Sequence, residues 1–156
     1  MTQLFGDPAT FAVEIGDFWS APHLRVVDLW AGGRRLTVED NVAYLPAFCR
    51  LMRWTVDQVR GDRVPARTVA EHGPEETFQL LHEDDEQSFR FLNWGETVDN
   101  VVTYAYLDGD LVLLFSFWRP THPVLEERGK ALSARIAPDE FVSVVNAAAD
   151  VLEAAS

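Results

Sequence analysis

Among 156 residues there is one cysteine and one lysine. The lone thiol, Cys49, can close no disulfide within the chain, so a reducing compartment is expected. The lone lysine, Lys130, leaves twelve arginines to carry the remaining positive charge, and no run of them makes a basic patch. No stretch approaches the ~18 apolar residues of a membrane span. The most apolar one, "LVLLFSFW", has only strand length. No basic region runs into an apolar one at the start, so no secretory signal is read and a cytoplasmic location is expected. Gly-x-Gly-x-x-Gly, a Walker loop, His-Glu-x-x-His, Gly-x-Ser-x-Gly and Cys-x-x-Cys are all missing.

Apolar residues make up 47% of the chain, with ten Phe and five Trp, which excludes a disordered chain despite 24% charge. The length suits one domain over residues 1–156, able to bury roughly two-thirds of its unfolded surface. Acids outnumber bases 25 to 13, for a net charge of −12. Such a field repels nucleic acid and anionic membranes and attracts a basic partner.

Alternating apolar residues predict a first strand over 10–18, after the Gly6-Asp7-Pro8 turn. "HLRVVDLW" predicts a second strand, and Gly32-Gly33 a turn into a short third, "RRLT". Over 44–60 the period becomes helical: Leu45, Phe48, Cys49, Met52, Val56 and Val59 form one stripe. Pro46 belongs in the first turn of that helix, and Gly61 stops it. Arg50, Arg53 and Arg60 lie off the stripe and read as solvated charge. After a polar connection, "TFQLLH" and "SFRFLNW" read as two strands around the acidic loop "EDDEQ". Asp108-Gly109 then reads as a two-residue hairpin turn, with Leu107 paired to Asp110, Tyr106 to Leu111 and Tyr104 to Leu113. Both faces of that hairpin are apolar, as in a hairpin covered on two sides. "KALSARI" is a last strand, and Pro138 opens a helix with Phe141, Val144, Val145, Ala148, Val151 and Leu152 at helical spacing. The expected fold is α+β: a mostly antiparallel sheet with a middle helix and a C-terminal helix packed on it.

Little chemistry is written in local spacing. The four histidines are scattered. His82-Glu83-Asp84-Asp85 is the best metal candidate, but adjacent polar residues at a loop are ordinary solvated surface, and no metal or cofactor is assigned. Cys49, on an apolar stripe, reads as a buried inert thiol. Trp30, Trp54, Trp94 and Trp118, with Tyr104 and Tyr106, could line a pocket or fill the core. Trp94, at a strand end before Gly95, is either a core side chain or an interface anchor.

The Gly-Asp-Pro turn leading into "TFAVEI", followed by "LWAGGRRL", resembles the start of bacterial immunity-protein family forty-two. The resemblance covers residues 4–36. A looser one, in element order, takes in "FRFLNW", "FSFWR" and "ARIAPDEFVSVV", while "VEDNVAYLPAFCRLMRWTVDQV" and the polar connection after it lie outside the resemblance. It implies an α+β, non-enzymatic protein that binds and neutralises the toxin encoded beside it in a polymorphic toxin system. On that reading Gly6, Asp7 and Pro8 are a family mark whose work is structural: the turn aims the first strand. The partner is then a toxin domain, basic in charge, met by Glu83, Asp84, Asp85 and Glu86 at a hairpin tip with Trp94 as anchor. The competing reading is a small enzyme or ligand-binding domain with an aromatic-lined pocket.

Overall fold

The structure is a computed structural model and describes residues 2–66, 72–84 and 88–155. It opens with a strand that the sequence pattern did not predict: β1 (Gln3–Asp7) pairs antiparallel with β2 (Phe11–Phe18). The Gly-Asp-Pro turn therefore joins two strands instead of only leading into one. Asp7 Oδ1 accepts from the Ala9 amide at 2.9 Å, and the Thr10 amide donates to the Asp7 carbonyl at 2.9 Å. These bonds close the turn locally. Gly6 sits at φ +90°, where a Cβ would lie 2.4 Å from the Phe11 carbonyl oxygen. No side chain fits there.

β3 (Leu24–Ala31) continues the sheet beside β2, and β4 (Arg34–Arg35) and β5 (Val42–Tyr44) pair with β3 to complete five antiparallel strands. The Gly33 amide donates to the Pro8 carbonyl at 2.7 Å and the Gly32 amide to the Thr10 carbonyl at 3.1 Å. The Gly-Asp-Pro turn and the Gly-Gly turn are thus tied to each other at one corner of the sheet.

The middle helix, α1 (Leu45–Arg60), has the predicted buried stripe and Pro46 in its first turn. The C-terminal helix, α3 (Pro138–Ala155), packs along α1 and lies on β1 and β2. Arg53 is more than solvated charge. Its guanidinium donates to Asn146 Oδ1 at 2.7 Å and to Asp150 and Glu153, each at 2.6 Å, clasping α1 to α3.

"TFQLLH" is not a strand. It belongs to a third helix, α2 (Pro74–His82), in which Thr77 and Leu81, one turn apart, are the buried positions. Glu75 and Glu76 occupy its first turn, where the helix dipole favours acids. "SFRFLNW" is not a strand either: it meets β6 through one bridge, between Arg90 and Tyr104, and turns at Leu92, whose φ is +54°. Glu83 and Asp84 consequently follow a helix end and do not cap a hairpin.

A second sheet holds β6 (Val102–Asp108), β7 (Asp110–Ser116) and β8 (Leu132–Ile136), all antiparallel. The β6–β7 hairpin forms where predicted, but its register differs by one residue. Asp108 pairs with Asp110, Leu107 with Leu111, and Tyr104 with Leu114. Gly109 alone occupies the tip, at φ +72°. Because side chains alternate faces, the one-residue shift moves all of β7 to the other side relative to the expected pairing. Ala105, Leu111, Leu113 and Phe115 enter the main core, which both sheets share with α1 and α3. Tyr104, Tyr106, Val112 and Leu114 form a smaller core with Leu81 of α2. The hairpin is covered on both faces, as its composition requires. The expected α+β class holds, with the antiparallel strands divided between two sheets and a third helix added.

Candidate functional site

Residues 50, 51, 54, 55 and 58 fall on a face of α1 beside its core stripe. Across from them lie Val64 and Pro65, which follow the helix, and the edge segment 88–94. The Leu107 amide donates to the Pro65 carbonyl at 2.9 Å, which holds that side against β6. The Phe91 amide donates to the Thr103 carbonyl at 3.0 Å, and the Ala105 amide to the Phe89 carbonyl at 2.8 Å. Both segments thus border β6, and between them and α1 runs a cleft of about 490 Å³.

The cleft floor is apolar and firmly built. Trp94 is 3% exposed, its ring edge-on to Phe11 at 6.3 Å and tilted on Phe48 at 5.6 Å. Its Nε1 donates to Thr55 Oγ1 at 2.8 Å, and that hydroxyl donates to the Leu51 carbonyl at 2.9 Å. A polar Thr is tolerated on a buried helix position because both of its bonds are made. Leu92, also buried, holds a left-handed φ of +54°, a conformation that costs a non-glycine residue about 1 kcal/mol or more.

The rim differs in kind. Trp54 is 58% exposed, and Arg50, Arg63 and Arg90 line the opening with the amides of Gln58 and Asn93. No carboxylate is among the described lining residues. The Arg90 guanidinium is engaged by the Tyr104 hydroxyl, which also meets His82 Nδ1 at 2.6 Å. Burial pushes the Tyr104 phenol up, and the Arg90 charge pulls it partly back. Arg50 and Arg63 have no ion-pair partner among the described residues. By contrast Arg34, Arg35, Arg53, Arg119 and Arg135 each meet an Asp or Glu.

The residues singled out from the sequence are dispersed. Glu83 is exposed at the end of α2, accepting from Gln79 Nε2 at 3.0 Å. Asp84 Oδ2 accepts from the amide of Ser88, a cleft residue, at 2.8 Å. Asp85 and Glu86 lie outside the described residues. Trp94 has the placement of a core side chain that shows one edge to the cleft, not that of a projecting anchor. Of the aromatic set, Trp54 and Trp94 reach the cleft. Trp30 Nε1 donates to Glu14 at 3.3 Å and Trp118 Nε1 to the Asp99 carbonyl at 3.1 Å, while Tyr104 and Tyr106 lie under α2. Cys49 is buried, and its thiol is pushed up to about 11, first by burial and then by the Glu153 charge.

A second, shallower groove of about 310 Å³ is lined by Glu39, Asp40, Glu96, Asp99, Asn100 and Arg119. Its acids are partly committed: Glu39 pairs with Arg119 at 3.0 Å, and Asp40 Oδ1 accepts from the Val42 amide at 3.0 Å. Compared with known proteins, the chain matches no family model, and no curated protein or solved structure was found to be similar to it. Among the described residues, no helix is long and apolar enough to cross a membrane.

Proposed function

We propose that this chain is a recognition protein of the immunity type. It acts by binding and not by catalysis, holding a cognate toxin domain in the cytoplasm of the producing cell, and the α1 cleft is where the toxin is gripped. One observation carries the reading: an exposed Trp54 and arginines without carboxylate partners border a rigid apolar floor. Trp and Arg are the residues that dominate binding energy at protein interfaces, where they flank desolvated pockets. The resemblance of residues 4–36 supplies the class of partner. The net charge of −12 would speed the approach of a basic toxin whichever surface it finally meets.

The test is co-expression with the product of the neighbouring gene. The native chain should restore growth and co-purify with the toxin. Trp54→Glu, on an exposed site, should keep its fold and lose both effects. Toxicity undiminished by the native chain would end the immunity reading. A small-ligand pocket is the second reading, favoured by Trp54 and Trp94 lining one cleft. It predicts a tightly bound small molecule on the purified protein.

A further inference from the structure

We infer that the α1 cleft takes an extended acidic peptide segment, with two carboxylates four residues apart and an apolar side chain midway between them. This rests on the reading of the cleft as a binding surface and names the chemistry of its occupant.

The first ground is charge. Of the eleven described arginines five are met by carboxylates and six are not, although the chain has about two acids per base. Arg50 and Arg63 are two of the six, both at the cleft rim, and among the described residues no acid lines the cleft. A guanidinium beside an apolar surface binds a carboxylate through paired hydrogen bonds, and gains strength where water is excluded.

Length is the second ground. Arg50 lies in the middle of α1, and the Arg63 side chain lies beside Gly61 at its C-terminal end. Eleven helical residues rise about 16 Å. In an extended peptide, residues i and i+4 are about 13 Å apart and point to the same side. The reach of the arginine and glutamate side chains closes the difference. Residue i+2 shares that side and falls over Trp54, Trp94 and the apolar floor.

Backbone geometry is the third. The two hydrogen bonds that flank Arg90 place it opposite Tyr104 in a pair that exchanges no bonds across the ladder. Its own N–H and C=O therefore turn away from β6, as an added extended strand requires. A compact polyphosphate fits less well. Its charges lie close together and cannot reach both arginines, which about 16 Å of helix separates.

The test uses the whole protein and labelled peptides, read by fluorescence polarisation at low salt. The acidic probe is acetyl-Glu-Ser-Phe-Ser-Glu-amide; its counterpart carries Lys at both ends. Inorganic pyrophosphate is a third arm. The acidic peptide should bind, the basic one should not, and Arg50→Glu with Arg63→Glu should weaken binding about tenfold or more at unchanged melting temperature. Failure of the acidic peptide to bind up to about 1 mM, equal binding of the basic peptide, or indifference to the double substitution overturns the inference. Pyrophosphate binding that the double substitution abolishes, with no peptide binding, overturns it in favour of a compact anion. Peptide binding without toxin neutralisation would sink the immunity reading and leave this one standing. Neutralisation that depends on the cleft, without peptide binding, would do the reverse.

Discussion

Trp94 Nε1 donates to Thr55 Oγ1 at 2.8 Å, joining the edge of the second sheet to the middle of α1. The bond is buried, and it fixes the floor of the cleft from both sides. A buried indole N–H left unpaired costs about 1–3 kcal/mol. Thr55→Val keeps the shape and removes the acceptor, so it should destabilise by about that amount in urea titrations. Thr55→Ser should recover most of the loss. Equal stability of Thr55→Val and wild type would show that the bond contributes nothing.

Two glycines at turns should respond differently to the same substitution. Gly109 has positive φ and open space around it, so Gly109→Ala meets only backbone strain, about 1–2 kcal/mol. Gly6→Ala adds a clash with the Phe11 carbonyl and with Val144 of α3. Thermal melting should place Gly6→Ala well below Gly109→Ala.

Cys49 makes stability depend on pH. Its thiol is raised from about 9 to about 11 in the folded protein, while the unfolded chain keeps the lower value. Between those values the unfolded chain releases a proton that the folded one retains, so this contribution to stability falls as pH rises from about 9 to about 11. Below about 9 both states hold the proton and the contribution is flat. Urea unfolding of wild type should therefore weaken more between these limits than that of Cys49→Ala. Equal pH slopes would refute the assignment.

Partner kinetics should separate the acids from the cleft. If the toxin is basic, charge reversal of Glu83, Asp84, Asp85 and Glu86 should slow association about tenfold or more at low salt, with less effect on dissociation. Trp54→Ala should shorten the lifetime of the complex instead. Surface-plasmon measurements across a salt series read both. Association that ignores salt and the acidic reversal would make that segment ordinary solvated surface.

Much of the fold is legible locally, because the signals concerned act within a few residues. Alternation marks β2 and β3, helical spacing marks α1 and α3, and Asp-Gly marks the hairpin. Each of these patterns records which face of an element is buried, and none records what buries it. "TFQLLH" shows the limit: six residues cannot separate a strand from a helix, and Pro74 with the acids Glu75 and Glu76 after it is the better guide. The hairpin register shows it again. Both faces of β6 and β7 are apolar, so composition could not tell one pairing from its neighbour a residue away. That choice fell to packing, with Tyr104 and Tyr106 under α2 and Phe115 in the main core. The cleft is the furthest from any local pattern. Arg50, Arg63 and Trp94 are remote in the chain, and each alone reads as surface charge or core aromatic. They become one site because α1 and the edge of β6 pack side by side, a contact between distant segments that no window of sequence contains.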